Sequence, residues 1–230
     1  MLVVHHLENS RSQRILWLLE ELGLDYEIKI YKRDPVTSLA PPELVSLHPL
    51  GKAPMITDGE VTIAESGAII EYLVRKYDDG TLGLDPDPDS SVAMAYTYWL
   101  HYAEGTFMPL MILALIIGRI ETAPMPFFAK PIAKGIVAKV RNGYLDVNVK
   151  RNLDFMEMSL SSSPWFCGEK ITAADIQMSF AIEAAAVRTN LASDYPQLAA
   201  YLKRIQERPA YQAALEKGGP YELMGASTKK

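Results

Sequence analysis

The sequence holds one cysteine in 230 residues, Cys167. That excludes an intrachain disulfide and any Cys-x-x-Cys redox or zinc motif. It also lacks a basic excess: 23 Lys and Arg stand against 28 Asp and Glu, a net charge of −5. Nothing in bulk charge draws such a chain to phosphate backbones, so no nucleic-acid partner is expected. No long apolar run occurs. The longest, Phe107 to Ile117, is about half of what a bilayer span needs and contains Pro109, so no membrane association is expected. The opening residues, Met1 to His6, carry neither a basic n-region nor a cleavage signal. The four histidines, His5, His6, His48 and His101, show no His-x-x-x-His spacing, and no metal site is expected. Ser10 has no G-x-S-x-G context, which argues against a hydrolase nucleophile, and no G-x-G-x-x-G or Walker-type loop exists. What is present is 49% hydrophobic residues in 25.6 kDa, enough for one or two cored domains without disulfides. A soluble, cytoplasmic, globular protein is expected.

The first eighty residues switch between two periods. Met1 to His6 reads as a buried strand. Ile15, Leu16, Leu18, Leu19 and Leu22 then recur on one face of a helix that Gly23 stops. Tyr26, Ile28 and Ile30 alternate with Glu27 and Lys29, a half-buried strand that would lie parallel to the first. Residues 34–49 read as loop with one short helix near 42–47. Met55-Ile56-Thr57 and Val61-Thr62-Ile63 flank Asp58-Gly59-Glu60, a hairpin signal, and Ser66 opens a helix ending near Tyr77. The acidic, Pro- and Gly-rich stretch after it contains no periodicity and marks a domain boundary. Helices are expected beyond it at 90–119, 131–160, 172–187, 195–208 and 209–217.

Four segments could carry chemistry. Asn9-Ser10-Arg11-Ser12, between the first strand and helix, supplies helix-capping residues, and a hydroxyl there faces exposed N–H groups and a positive dipole end that stabilise an anion, a thiolate included. His48-Pro49-Leu50-Gly51-Lys52-Ala53-Pro54-Met55 puts a proline at the mouth of a strand. It reads as a rigid turn, or as one that leaves the Ala53 backbone free to pair with an extended ligand. Glu65-Ser66 suits a helix start and equally suits an amino-acid ligand: Glu65 accepts its ammonium, while the Ser66 hydroxyl and the helix end receive its carboxylate. Thr172-Ala173-Ala174-Asp175 reads as a capping-box variant opening a core helix. The Met and aromatic stripe from Tyr96 to Met111 reads as core, and Cys167 as a small buried hydrophobe.

These segments in this order resemble the cytosolic glutathione transferases over most of the chain. Ser10-Arg11-Ser12-Gln13-Arg14, His48 to Pro54, Glu65-Ser66-Gly67-Ala68-Ile69 and Phe166 to Ile176 carry the likeness. The resemblance implies an α/β thioredoxin-like N-terminal domain (1–78), a linker (79–89) and an all-α C-terminal helical bundle (90–230), usually paired in a homodimer. It implies a cis Pro54, an Ala53 backbone that pairs with the cysteinyl part of glutathione, and Glu65 and Ser66 holding the γ-glutamyl end with help from Lys52. The active hydroxyl would be Ser10, as in the serine-type members, with Asn9 and Ser12 as the alternatives nearby. Gly67 stands where some insect-type relatives carry an arginine. No cysteine precedes residue 167, so the cysteine-type members are not the model.

The activity so implied is conjugation of a glutathione thiolate to small hydrophobic electrophiles, and the same thiolate would also serve glutathione-dependent peroxide or disulfide reduction. Glutathione is the co-substrate, without a metal. The electrophile pocket is expected against Tyr102, Phe107 and Met108. The alternative is a non-catalytic interaction or stress-response module on the same fold, which loss of the glutathione-binding residues would favour; Lys52, Pro54, Glu65 and Ser66 are all present.

Overall fold

Leu2 and Val4 face inward from β1 (Leu2–Leu7), and around them a computed structural model describes residues 1–35, 37, 39–219 and 221–222. The remaining residues of the expected 90–230 domain, 220 and 223–230, lie outside the described set. The apolar face read in the sequence becomes α1 (Gln13–Glu21), with Ile15 to Leu19 wholly buried. It is followed by β2 (Glu27–Tyr31), α2 (Glu43–Leu47), β3 (Met55–Asp58), β4 (Val61–Ala64) and α3 (Ser66–Tyr77). The sheet order is β2-β1-β3-β4, with β1 parallel to β2 and the other two pairings antiparallel. This is the thioredoxin-like arrangement. Asp58 Oδ2, at the end of β3, accepts hydrogen bonds from Lys76 Nζ (2.7 Å), Tyr72 OH (2.9 Å) and Tyr77 OH (2.6 Å), which tie α3 to the sheet.

From Tyr77 to Ala93 the described chain forms no helix or strand. The helical part then comprises α4 (Ala93–Tyr102), α5 (Met108–Thr122), α6 (Lys130–Val140), α7 (Asp146–Ser159), α8 (Ala173–Ala186), α9 (Leu191–Asp194), α10 (Pro196–Gln206) and α11 (Pro209–Gly218). Two expected long helices each contain one π-helical turn, at Ala103–Phe107 between α4 and α5 and at Arg141–Leu145 between α6 and α7. Each turn has a glycine at its centre, Gly105 and Gly143, where the i→i−4 ladder is most easily opened. The continuous helix Ala93–Thr122 is long and apolar enough, by length and composition, to cross a membrane. Its buried side chains, among them Trp99, Leu100, Phe107 and Met111, belong to the main hydrophobic core.

The centre of that core is α8, buried from Ala173 to Ala185. Its start is fixed by Asp175, fully buried, whose Oδ2 accepts from the Thr172 N–H (2.8 Å) and hydroxyl (3.1 Å). Oδ1 accepts from the Phe166 N–H (3.0 Å) and from Tyr201 OH (3.3 Å). The capping element expected from the sequence is therefore also a clamp on two other segments. Cys167 is buried beside it, and burial pushes its thiol up to about 12.

Candidate active site

Sheet register gathers the first three chemistry-bearing segments at one end. His5 lies opposite Met55, and Met55 opposite Ala64. Since β3 runs against β1 and β4 against β3, the loop after Leu7, the approach to β3 and the exit from β4 share an edge of the sheet. Ser10, Ala53-Pro54 and Glu65-Ser66 thus meet there although they are far apart in sequence. Because β2 is parallel to β1, with Tyr31 beside Leu7, Arg33 arrives at the same end.

At the first segment the capping expectation is corrected: no side chain caps α1. Ser12 instead turns back to the strand. Its Oγ lies 2.8 Å from His6 Nδ1 and 2.7 Å from Ser10 Oγ, and it accepts the Leu7 N–H at 3.3 Å. His6 is buried, and burial holds its imidazole below its ordinary range, against the opposing pull of a hydrogen bond to the Gly218 backbone and of Glu8. A neutral His6 that donates its other N–H to the Gly218 carbonyl accepts from Ser12, so Ser10 is left to donate to Ser12. Ser10 Oγ also accepts the Ser12 N–H at 3.2 Å. The result is a chain, Ser10–Ser12–His6, whose last hydroxyl is that of Ser10; both serines are buried, Ser12 at 0% and Ser10 at 6% exposure. Asn9, with φ +52°, accepts the Glu222 N–H on its side-chain oxygen at 2.8 Å.

At the second segment the Ala53–Pro54 bond is cis, and the pairing of β3 begins only at Met55, so the Ala53 backbone precedes the ladder. Gly51, at φ +55°, lies against α2: a Cβ there would meet Val45 Cγ2 at 2.6 Å. Lys52 is exposed and Pro54 buried. At the third, Glu65 is exposed and sits at φ +73°, ψ 119°, conformational strain of order 1–3 kcal/mol for a residue with a side chain. Ser66 follows at the first position of α3, 3% exposed.

Behind this edge lies a charge network that sequence spacing does not reveal. Arg14 is fully buried. It donates from Nη1 to Gln177 Oε1 (2.7 Å) on α8 and from Nη2 to Glu104 Oε1 (2.9 Å) in the first π turn. Its guanidinium stacks over Phe180, with Cζ 5.2 Å from the ring centre. Burial holds it below its ordinary range and Glu104 opposes that shift. Arg11 Nε lies 2.8 Å from the other Glu104 oxygen, as an ion pair rather than a directed hydrogen bond. Below them Glu183, also buried, accepts from Tyr211 OH and, at 2.5 Å, from Tyr221 OH; burial pushes its carboxyl up.

Tyr102 and Met108 flank the first π turn, and Phe107 closes it. All three are buried in the helical core, Tyr102 with its hydroxyl on Asn152 Oδ1 and its ring packed on Trp99 and Phe155. The π turn inserts one extra residue, about 100° of helix, between Tyr102 and Met108, and Glu104 within it meets Arg11 and Arg14.

Comparison with known proteins follows the same division of the chain. Residues 1–75 match the family model for the glutathione S-transferase N-terminal domain, and residues 126–218 that for a glutathione S-transferase C-terminal domain. Glutathione S-transferase 3 of Schizosaccharomyces pombe is 39% identical over 94% of this chain and 88% of its own length. A crystal structure of a glutathione S-transferase from Actinobacillus pleuropneumoniae is 36% identical, covers 100% of this chain and 97% of its own, and superposes with a TM-score of 0.82. A glutathione transferase from Phanerochaete chrysosporium, solved in complex with oxidized glutathione, is 25% identical with a TM-score of 0.74, covering 94% and 96% of the two chains. Two family models in register with the two structural halves, and relatives matched over nearly their whole length, identify the chain as a member of the glutathione S-transferase family.

Proposed function

We propose that the protein binds glutathione along the sheet edge formed by Ser10, Lys52, Ala53, Pro54, Glu65 and Ser66, and that Ser10 donates its hydroxyl hydrogen bond to the glutathione sulfur. The observation that carries this reading is the Ser10–Ser12–His6 chain. It ends on the Ser10 hydroxyl and leaves Ser12, its nearest rival, enclosed on all sides. A free thiol with a pKa near 8.5 is mostly protonated at neutral pH; lowering it by about two units takes roughly 2.7 kcal/mol of preference for the thiolate. One charge-assisted hydrogen bond and the uncapped start of α1 are of the right size. When Ser10 turns from Ser12 toward the sulfur, Ser12 keeps its bonds to His6 and Leu7, so no buried group is left without a partner. The arginines near the loop add positive potential in the same sense.

The extended cysteinyl backbone of glutathione pairs with Ala53, and Glu65 and Ser66 take the ammonium and carboxylate of the γ-glutamyl end. The thiolate then attacks a small electrophile and displaces its leaving group, or adds to an activated double bond. The reading includes a homodimer of a cytosolic protein, and the exposed apolar side chains Met94 and Tyr98 on α4 are consistent with a covered face. The test is conjugation of glutathione to 1-chloro-2,4-dinitrobenzene by wild type and Ser10→Ala. Wild type is expected to form the thioether well above the uncatalysed rate, with the rising acid limb of the pH–rate profile, set by thiol ionisation, displaced to higher pH in the variant. An unchanged profile would remove Ser10 from the role, and the absence of any catalysed thioether would overturn the conjugation reading.

A further inference from the structure

The hairpin of α5 and α6 carries apolar side chains that the core does not use. α6 docks on the helical half through Val137, buried, with Ala133 and Val140 partly buried beside it. Spacings of four and three put those residues on one face. A second set, Phe128, Ile132 and Ile136, recurs at spacings of four and stays in solvent, Phe128 at 65% exposure. Phe127, at the apex of the hairpin, is 84% exposed, and its ring meets that of Phe128 edge to face at 5.7 Å. Adjacent exposed rings continuous with an apolar stripe mark a surface that meets something.

Charge says what covers them. The chain is acidic overall, yet no Asp or Glu lies between Glu121 and Asp146, and α6 carries Lys130, Lys134 and Lys139, all exposed. None of these lysines has a carboxylate within ion-pair distance among the described residues. An apolar protein partner would leave them unmatched, and lysine is depleted where proteins meet. A polyanion such as nucleic acid would leave the phenyl rings in water. An anionic bilayer suits both sets: its headgroups take the ammonium groups while the acyl boundary takes the rings. Lys130 and Lys134 stand in the first two turns of α6, next to the apex, and their long stems let the charges reach the phosphates as the rings descend.

We propose that the Phe127–Phe128 apex and the lysines of α6 form a docking surface for an anionic lipid membrane, onto which the protein settles apex first. The contact is peripheral. The buried side chains of α5 belong to the main core, so this helix does not leave the fold to span a bilayer. The run-length criterion behind the expectation of no membrane association tests spanning alone. Met94 and Tyr98, the apolar pair on α4 assigned to a partner copy, sit at the opposite end of the continuous helix Ala93–Thr122, about 35–40 Å from the apex. The two surfaces are therefore separate.

The experiment is flotation of the whole protein with vesicles of phosphatidylcholine alone or with about 30% phosphatidylglycerol. Binding to the anionic vesicles is expected to exceed that to the neutral ones by about tenfold or more at about 50 mM salt, and to fall several-fold by about 300 mM. Phe127→Ser with Phe128→Ser is expected to lower binding to anionic vesicles by about tenfold or more, and Lys130→Gln with Lys134→Gln to remove most of the anionic preference. These positions are exposed, so both variants are expected to keep the wild-type melting temperature and rate of glutathione conjugation. No binding to either vesicle overturns the inference, as does equal binding to both or an unchanged affinity in the Phe variant. If vesicles are ignored and the Phe variant instead lowers the oligomeric state in sedimentation equilibrium, the apex is a contact between copies, which likewise overturns it.

Discussion

Replacing Asp175 by alanine tests the interior of the helical half. The carboxylate serves four donors: the Phe166 and Thr172 N–H groups at 3.0 and 2.8 Å, the Thr172 hydroxyl at 3.1 Å and Tyr201 OH at 3.3 Å. The two hydroxyls can reorient, and Tyr201 already has the Asp175 carbonyl at 3.2 Å. The two backbone N–H groups cannot. Each buried donor left without a partner costs about 1–3 kcal/mol, so the pair costs roughly 2–6 kcal/mol, partly offset because a buried charge is removed as well. A net loss of about 2–5 kcal/mol is expected, which for a chain of this size lowers Tm by roughly 4–20 °C. A helix cap alone would cost about 1 kcal/mol, or roughly 2–4 °C. Thermal and urea unfolding of Asp175→Ala decide between them, and a fall of only 2–4 °C would refute the clamp. The sign of the pH dependence gives a second reading. Burial pushes the Asp175 carboxyl up to about 6, against hydrogen bonds that favour its charged form. The folded value exceeds the unfolded one, so the folded state holds this proton more tightly; the resulting stability is full below about pH 4 and is lost as pH rises through about 6. The advantage of wild type over Asp175→Asn is expected to narrow across that window, and a constant or widening gap would contradict it.

Other outcomes follow from the same geometry. Ser12→Ala removes the partner of both Ser10 and His6 and is expected to lower kcat about tenfold with little change in glutathione affinity; an effect on affinity alone would refute a positioning role. Glu65→Ala with Ser66→Ala is expected to weaken glutathione binding by tenfold or more, as lost charge-assisted hydrogen bonds require, and unaltered affinity by calorimetry would defeat that assignment. Arg14→Met breaks the Gln177 and Glu104 contacts and leaves Glu104 with Arg11 alone; a loss of about 3–5 kcal/mol is expected, and an unchanged urea midpoint would show that the buried charge contributes nothing. Asp58 is held down at about 2, chiefly by Lys76 and then Tyr77. A folded value below the unfolded one gives stability present above about pH 4 and lost toward pH 2. Acid unfolding of Asp58→Asn is expected to lack that component, and an identical acid limb would contradict it.

The first half was legible because its periods alternate cleanly. Val4 and Ile15 to Leu19 occupy the core that their spacing implied, and the Asp58-Gly59-Glu60 turn joins two paired strands. The π turns were not legible, since Gly105 and Gly143 interrupt the hydrogen-bond ladder without interrupting the apolar pattern. Glu104, inside the first of these turns, meets Arg11 and Arg14, a pairing that no apolar period announces. Ser10 could be singled out by its place before a helix, but its link to His6 through Ser12 depends on a turn folding back on its own strand. The Arg14–Gln177 contact joins residues 163 positions apart, and no local signal carries it.

The central claim is that this sheet edge binds glutathione and ionises it. Its most direct test is titration of the bound thiol by thiolate absorbance, with binding followed calorimetrically. Saturable binding with a thiol pKa about two units below the free value near 8.5 is the expected result. Binding with an unshifted pKa, or no binding at all, would contradict it.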